Sequence, residues 1–382
     1  MNGPHFDHRH PDEHAVGSPL PMPYLVDGPV YTPGQASAPA GAATVFRLAS
    51  NESPLGMSDM ARDAIFGVAG NQHLYPDPDG APLARAIGDV FGLDPARIVT
   101  SPGSDIIINW IIQGWVGQGS VIYPEHAFQS YRIRAANNGA TPVAAPEVDL
   151  RTDVQAILRC VSPQTRAVFI ANPNNPTGTW LSLEELRSLR ARLRSDILLV
   201  VDEAYFDYVR VRGYETALAL VDSPAANVIV TRTFSKFYGL AGLRVGWAYV
   251  PTSFVRVFDK LRGPFAVSRI AIAAAIASLG DTAYQTSAYT HNVRWRTWLQ
   301  DQIRGLGYRT TDSVGNFALF QVPGGADGAT TLNARLAAKG LLCRVANQNA
   351  LPEWIRVSVG SADAMTAFVQ ALSDLSRDAR HR

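Results

Sequence analysis

Short apolar runs separated by polar loops and helix-like segments occupy the middle of the chain. Ala167 to Ala171, Ile197 to Val201 and Val228 to Val230 contain only apolar residues. A continuous apolar strand is typical of a parallel sheet that is buried on both faces. Shorter strands are predicted at Arg97 to Thr100 and Ser120 to Tyr123. The pattern indicates an α/β fold with a mostly parallel sheet.

The helical segments fit this arrangement. Ser182 to Glu185 has the form of a capping box and predicts a helix that continues to Arg194. The uncharged run from Ile106 to Tyr123 is interrupted by Asn, Gln and Gly, so it predicts a buried helix that leads into a strand. The Ala-rich run Ile270 to Leu279 predicts a short interior helix. We therefore expect no membrane-spanning segment.

The first 45 residues, rich in Pro, Gly, Ala and His, show no periodicity and predict an extended arm. The arm contains a histidine cluster to which we assign no metal: His5, His8, His10 and His14. We expect a large domain at 46–270 and a small domain at 271–382, with strands at Phe317 to Val322 and Trp354 to Val359.

The composition of the chain argues against several classes of protein. The 382 residues include 47% hydrophobic and 18% charged side chains, enough for a large domain and a smaller one. A net charge of +1 argues against a nucleic-acid surface. Two cysteines are too few for a disulfide framework, and no secretory signal pattern is present. We expect a cytoplasmic protein with no nucleic-acid or membrane partner.

The stretch Thr231 to Gly246 carries the strongest chemical signal. Lys236 follows a buried strand, and desolvation lowers the pKa of a lysine so that its amine can attack a carbonyl. The Ser235 hydroxyl and the Arg244 guanidinium suit a phosphate. An amine beside a phosphate site indicates pyridoxal phosphate. The alternative is a solvated lysine and an arginine paired with a surface carboxylate.

The order TFSK followed by GLAGLRVG resembles the lysine signature of fold-type I aminotransferases, the class I/II group. Within that group the chain is most similar to histidinol-phosphate aminotransferases, from Tyr31 to about Gly360. The resemblance implies a seven-stranded, mostly parallel sheet with helices on both faces. It also implies an α/β small domain built from both termini, and pyridoxal 5'-phosphate as the cofactor.

The resemblance implies where the cofactor phosphate binds. Gly103, Ser104 and Asp105 form a turn that opens a helix, where free N–H groups favour an anion. Ser104 or Asp105 could also simply cap that helix, which is compatible with phosphate binding. Ile106 stands where the family usually has glutamate.

The pyridine ring has its own implied partners. Phe128, in Pro124 to Tyr131, matches the aromatic residue that stacks on the ring, although it could be plain core. His126 and Ala127 replace the usual Pro and Thr of this motif. Asn172 to Gly178, NPNNPTG, is a highly specific family motif in which Asn175 binds the phenolic oxygen.

The strand ending at Val201 is followed by Asp202 and Tyr205. In the family such an aspartate pairs with the pyridine nitrogen and makes the ring an electron sink, and the tyrosine reaches the phenolic oxygen. A structural aspartate that caps a helix is the alternative. Tyr75, in the Tyr-Pro-Asp motif, matches a residue that reaches the partner's cofactor phosphate, so it implies a homodimer. Without the resemblance to the family, the Tyr-Pro-Asp motif indicates only a turn.

Further residues match substrate contacts of the family. Arg356 matches the arginine that binds the substrate carboxylate as a bidentate pair. Arg344 and Tyr31 match residues that face the substrate phosphate, and Asn51 lies in an opening motif, Leu48 to Gly56. We expect Asn175 to face the substrate as well. Either arginine could instead form a surface ion pair, and Tyr31 could anchor a loop.

The implied reaction is transamination in histidine biosynthesis, from L-glutamate and imidazole-acetol phosphate to L-histidinol phosphate and 2-oxoglutarate. Lys236 would bind the cofactor and transfer the proton. A threonine-phosphate decarboxylase keeps nearly all these residues. Ile106, His126 and Ala266, which stands where an asparagine is usual, leave open an aminotransferase or oxidase of a specialised pathway. A non-catalytic ligand sensor is a more distant alternative.

Overall fold

The computed structural model describes residues 19–34, 44–223 and 227–380. Within these residues the fold is organised around a seven-stranded sheet with the strand order β2-β10-β9-β8-β7-β3-β4. Only β10 runs antiparallel to its neighbours. Its strands are β2 (Ile98–Ser101), β3 (Ser120–Pro124), β4 (Thr141–Ala145), β7 (Thr165–Ala171), β8 (Leu198–Asp202), β9 (Val228–Thr233) and β10 (Gly246–Tyr249). The predicted α/β class with a mostly parallel sheet is confirmed.

Every residue of β8 and β9 is buried, as expected for apolar strands covered by helices on both faces. The helices are α1 (Pro23–Val26), α2 (Asp59–Ala69), α3 (Ala81–Phe91), α4 (Ser104–Ile111), α5 (Ser130–Ala136), α6 (Val154–Arg159), α7 (Leu183–Arg192), α8 (Leu218–Val221), α9 (Thr252–Leu261), α10 (Arg269–Gly280), α11 (Thr282–Gly305), α12 (Gly325–Ala338) and α13 (Ala362–Arg380).

A second, three-stranded sheet has the order β11-β14-β13. Two further strand pairs are parallel β1 with β12 and antiparallel β5 with β6. Their bounds are β1 (Phe46–Arg47), β5 (Glu147–Val148), β6 (Arg151–Thr152), β11 (Phe317–Gln321), β12 (Leu341–Leu342), β13 (Arg344–Ala346) and β14 (Leu351–Ser358). Because β1 pairs with β12, the segment near residue 46 joins the unit formed by the C-terminal third of the chain.

Some element boundaries differ from the sequence predictions. Helix α4 begins at Ser104 rather than Ile106, since Gly103 with φ +95° lets the chain turn directly into the helix. Helix α7 ends at Arg192, before the predicted Arg194, and the arm contains the short helix α1. The predicted histidine cluster lies outside the described residues. Helix α10 crosses residue 270 and packs in the core of the large sheet, so the domain boundary stays a proposal.

No helix in 19–34, 44–223 or 227–380 has both the length and the apolar character needed to cross a membrane. In the same residues, no group of three or more His, Cys, Asp or Glu side chains is arranged to hold a metal ion.

Candidate active site

The carboxyl ends of the parallel strands meet at one edge of the large sheet, as expected for open α/β sheets that bind ligands there. A cavity of about 260 Å³ opens at this edge, next to the three-stranded sheet. Its lining includes thirteen of the residues predicted from sequence: Tyr31, Asn51, Ser104, Asp105, Phe128, Asn175, Asp202, Tyr205, Ser235, Lys236, Arg244, Arg344 and Arg356.

Lys236 follows β9 and extends into this cavity. Its Nζ donates a hydrogen bond to the carbonyl oxygen of Ser50 at 2.9 Å. Burial, together with the nearby positive charge of Arg356, lowers the pKa of Lys236 to about 8. The amine is therefore closer to its neutral, nucleophilic form near neutral pH than an exposed lysine would be.

An anion cradle lies where β2 turns into α4. Gly103 has φ +95°, and a Cβ added there would lie only 2.5 Å from Nη2 of Arg244, so glycine allows the close approach of this guanidinium. Arg244 also donates from Nη1 to the Ser235 hydroxyl at 3.2 Å. The N-terminal turn of α4, beginning at Ser104, faces the same space. A helix N-terminus beside a guanidinium and a hydroxyl suits a phosphate.

Asp105 lines the cavity, but its carboxylate already has partners. Ser130 and Arg134 both donate hydrogen bonds to it, one to each carboxylate oxygen. Arg134 lies on α5, so this pair ties the anion cradle to the helix that follows Phe128. Asp105 thus offers a ligand its backbone N–H at the start of α4, while its side chain holds two helices together.

Asp202 ends β8 and is almost completely buried. Its carboxylate accepts hydrogen bonds from two neutral hydroxyls, Tyr131 at 3.0 Å and Thr231 at 3.1 Å. Burial raises the pKa of Asp202 to about 6, despite these two hydrogen bonds. A cation or a protonated ring nitrogen in the cavity would restore its charged form. The site at Asp202 therefore favours a cationic group.

Hydrogen bonds that involve two amide side chains, Asn175 and Asn51, connect the sheets across the cavity. Arg356 on β14 donates from Nη1 to Oδ1 of Asn175 at 2.6 Å, and from Nη2 to the carbonyl oxygen of Ala49. Asn51 donates from Nδ2 to the Tyr205 hydroxyl at 2.9 Å. The Nε of Arg356 is buried and has no hydrogen-bond partner in the part of the chain that the structure describes. Such an unsatisfied donor is costly unless a ligand or water accepts from it.

Arg344 and Tyr31 form the far wall of the cavity. Arg344 begins β13 and donates from Nη1 to the Tyr31 hydroxyl at 3.4 Å and from Nη2 to the Thr32 carbonyl oxygen at 2.9 Å. The guanidinium carbon lies 5.6 Å from the centre of the Tyr31 ring. Arg344 forms no ion pair within the described residues, so its charge is available to an anionic ligand.

Two predicted residues lie outside the cavity lining. Gly103 is behind the lining, against Arg244, as described above. Tyr75 is far more exposed, with 77% of its surface accessible, and its ring stacks on Phe265 at 4.5 Å. Within one chain, Tyr75 is therefore not brought to the site that contains Lys236.

The sequence reasoning missed several residues of the site. Tyr131 and Thr231 hold Asp202, and Glu52, Gln129 and Asn349 line the cavity. One of them could have been found from strand alignment, because Thr231 lies directly opposite Asp202 in the β8–β9 register. Of the others, Tyr131 lies on α5, Asn349 ends a short 3₁₀-helix, and Glu52 and Gln129 lie in loops. Only the packing of the folded chain brings these segments to the cavity.

Three independent features of the site fit pyridoxal phosphate. The cradle at α4 and Arg244 suits a phosphate, Lys236 supplies a buried amine, and Asp202 has no cationic partner among the described residues. These features lie around one cavity. The donor set therefore matches the phosphate, aldehyde and ring nitrogen of that cofactor.

Comparisons with known proteins agree with this geometry. Residues 43–372 match the family model described as Aminotransferase class I and II. The chain belongs to the class I and II aminotransferase family. It is 43% identical over 354 residues to a histidinol-phosphate aminotransferase of Hyphomonas neptunium, with 92% of this chain and 96% of the relative covered.

Two further relatives are also histidinol-phosphate aminotransferases. A histidinol-phosphate aminotransferase of Nitrobacter winogradskyi is 41% identical over 362 residues, covering 94% of this chain and 99% of the relative. The crystal structure of the Sinorhizobium meliloti histidinol-phosphate aminotransferase in complex with pyridoxal-5'-phosphate superposes with a TM-score of 0.83 at 31% identity. That match covers 88% of this chain and 92% of the other. The aminotransferase fold and enzyme class predicted from the lysine motif are confirmed.

Proposed function

We propose that this aminotransferase interconverts imidazole-acetol phosphate and L-histidinol phosphate, with L-glutamate and 2-oxoglutarate as the second pair, in histidine biosynthesis. The observation that carries this proposal is the placement of Arg344 and Tyr31 in the same cavity as Lys236 and Arg356. Besides Arg244 of the anion cradle, the cavity thus combines an amine with two further guanidinium groups, Arg344 and Arg356. The relatives at 41% and 43% identity are histidinol-phosphate aminotransferases, which supports the same substrate.

In this proposal the cofactor is pyridoxal 5'-phosphate, which supplies an electron sink for the bonds at the substrate α-carbon. The turn at Gly103, Ser104 and Asp105, together with Ser235 and Arg244, holds its phosphate. Phe128 would pack on the ring face, and the Asp202 carboxylate would accept a hydrogen bond from the protonated ring nitrogen. Asn175 and Tyr205 would donate hydrogen bonds to the phenolic oxygen.

Lys236 has two roles in the proposal. Its Nζ would hold the cofactor at the aldehyde carbon, and the free amine would move a proton away from the substrate α-carbon as general base and deliver one as general acid. Its lowered pKa, about 8, makes the neutral amine accessible near physiological pH. The Ser50 carbonyl oxygen, 2.9 Å from Nζ, orients the amine toward the cavity.

The two arginines divide the recognition of the substrates. Arg356, oriented by Asn175, takes a carboxylate through its fork of donors, including the Nε that has no partner among the described residues. Arg344 and Tyr31 take the second anionic group. Glutamate and histidinol phosphate both carry an anion away from the amine, so one basic pocket serves both. Asn51 positions the Tyr205 hydroxyl through its hydrogen bond from Nδ2.

The proposal includes a homodimer in which Tyr75 reaches the site of the partner. What supports it is the exposure of Tyr75 together with other large apolar side chains, among them Leu74 at 54%. Tyr75 stacks on Phe265, its carbonyl oxygen accepts a hydrogen bond from Arg269 at 2.6 Å, and the nearby helix α2 exposes Phe66 at 70%. Such a patch on one chain is typical of a protein interface.

The substrate assignment is tested by mixing the purified, cofactor-loaded protein separately with L-histidinol phosphate plus 2-oxoglutarate, and with O-phospho-L-threonine. Products are separated and identified. We expect glutamate and imidazole-acetol phosphate to form from the first mixture, in equal amounts. A Lys236→Ala variant loaded and assayed in parallel gives the background.

The competing functions predict other products. Carbon dioxide from O-phospho-L-threonine would indicate a threonine-phosphate decarboxylase. Transfer from glutamate to other 2-oxo acids without any reaction of histidinol phosphate would indicate a specialised aminotransferase, and hydrogen peroxide formation would indicate an oxidase. Any of these results would overturn the histidinol-phosphate assignment and leave the aminotransferase family unchanged.

A further inference from the structure

His126 follows β3 of the large sheet and contacts a residue between β13 and β14 of the three-stranded sheet. Its Nδ1 lies 2.9 Å from the backbone carbonyl oxygen of Asn349, and because a carbonyl oxygen only accepts, Nδ1 carries the proton. In the opposite direction, Nδ2 of Asn349 donates to the carbonyl oxygen of Ala127 at 2.7 Å. Two reciprocal hydrogen bonds thus join residues that are more than 200 positions apart.

Each end of this pair belongs to a part of the active site. His126 and Ala127 directly precede Phe128, which lines the cavity. Asn349 also lines it, and ends the short 3₁₀-helix Asn347–Asn349 that follows β13. Arg344 at the start of β13 donates to the Oε1 of Gln348 at 3.2 Å, so Arg344 and Asn349 lie in one short, hydrogen-bonded segment.

The loop around His126 is held from a second side. Asn174, next to Asn175, donates from Nδ2 to the carbonyl oxygen of His126 at 3.4 Å and to the Thr177 hydroxyl at 3.0 Å. The 126–128 backbone is therefore fixed to the loop that follows β7 of the large sheet through Asn174. The side chain of His126 meanwhile reaches Asn349, beside the three-stranded sheet. Proline, the residue usual in the family motif, has no side-chain donor for this bond.

We propose that His126 and Asn349 form a clasp that sets the position of Arg344 relative to Phe128. The clasp residues act through their neighbours and are positioning residues for substrates that place an anion against Arg344, an argument that rests on the proposed function. Without the clasp, the segment 344–350 loses two of the hydrogen bonds that hold it against the cavity. A substrate bound between Phe128 and Arg344 then meets a less defined pocket.

The variants separate the effect of losing the His126 hydrogen bond from the effect of changing the volume of the side chain. His126→Phe keeps a ring of similar size and removes the donor. His126→Asn restores an amide nitrogen near the position of Nδ1 and serves as the rescue. The matched control is His291→Phe, because His291 also donates to a backbone carbonyl oxygen, that of Gly360 at 2.9 Å, away from the cavity lining.

Hydrogen exchange of the full, cofactor-loaded chain tests the clasp without any substrate. We expect His126→Phe to raise amide exchange about fivefold in both 126–131 and 344–350, since one hydrogen bond contributes on the order of 1 kcal/mol. His126→Asn should return both segments to the wild-type rates, and His291→Phe should leave both unchanged. Faster exchange in 126–131 alone, or in neither segment, would overturn the clasp.

Kinetics test the positioning role. We expect His126→Phe to raise the KM for histidinol phosphate about fivefold with kcat nearly unchanged, and His126→Asn to restore KM. An equal fall of kcat in both variants would contradict positioning through Arg344. If histidinol phosphate is no substrate at all, the proposed function fails while the exchange result still decides the clasp.

Discussion

Nη1 of Arg356 lies 2.6 Å from Oδ1 of Asn175, so a β14 guanidinium is oriented by a loop that follows β7. This bond joins the three-stranded sheet to the large one at the cavity. Burial lowers the pKa of Arg356 to about 10, yet the group stays charged at neutral pH. A substrate carboxylate would therefore meet a guanidinium whose direction is already set.

Arg356→Lys should reduce kcat/KM for glutamate about 100-fold, because a lysine keeps the charge but loses the bidentate fork, worth roughly 3 kcal/mol. Steady-state kinetics with the loaded enzyme measure the effect. Arg335→Lys, at the surface pair with Asp378, is the control and should stay near the wild-type value. A loss smaller than about threefold in Arg356→Lys would rule out carboxylate binding by this residue.

Arg344→Gln should raise the KM for histidinol phosphate at least about tenfold, since a charge-assisted contact with the phosphate is removed. Tyr31→Phe removes only a hydroxyl next to Arg344 and should have a smaller effect in the same direction. The control is Arg309→Gln, an exposed arginine 3.8 Å from Asp149. Equal KM values for Arg344→Gln and Arg309→Gln would remove Arg344 from substrate recognition.

The apoprotein should attach pyridoxal phosphate faster as pH rises, with a midpoint near 8, because only the neutral amine of Lys236 attacks the aldehyde. Initial rates at a fixed cofactor concentration from pH 6 to pH 10 give the midpoint. Arg356→Gln removes a positive charge that lowers this pKa, so its midpoint should move upward. A wild-type midpoint close to that of an exposed lysine would contradict the buried amine.

Glu147 on β5 should make stability depend on pH. Burial raises the pKa of its carboxyl from 4.5 to about 8, so the folded chain binds more protons than the unfolded chain between these values. Its stabilising contribution is present below pH 4.5 and is lost as pH rises to about 8, at up to about 1.4 kcal/mol per pH unit.

Urea unfolding of the apoprotein at several pH values measures this dependence. Glu147→Gln cannot ionise, so its free energy of unfolding should fall less between pH 5 and pH 8 than that of the wild type. Glu184→Gln, an exposed residue on α7, should leave the wild-type slope unchanged. Parallel slopes for wild type and Glu147→Gln would show that Glu147 titrates normally.

The sequence was informative where chemistry follows directly from a buried strand. The apolar run before Asp202 and the one before Lys236 predict neighbouring parallel strands, and their carboxyl ends do meet. The NPNNPTG loop likewise locates Asn175 beside them. These positions are local consequences of strand and loop pattern, so one sequence suffices to place them.

Other parts of the site depend on contacts that the pattern does not encode. Asp105 is held by Arg134, and His126 by Asn349, through side chains brought together only by the packing of helices and sheets. The early start of α4 depends on the positive φ of Gly103. Tyr75 is exposed in one chain, so its predicted role needs a second chain and stays a prediction.

The central claim, that Lys236 is the residue that binds the cofactor, can be tested directly by chemical labelling. The chain has only three lysines, Lys236, Lys260 and Lys339, and the last two are exposed. Borohydride reduction of the pyridoxal-phosphate-loaded protein, followed by peptide mass spectrometry, identifies the modified lysine. We predict the added mass on the Lys236 peptide alone, and none in a folded Lys236→Ala variant. Stoichiometric label on Lys260 or Lys339, or no label in the wild type, would contradict the account.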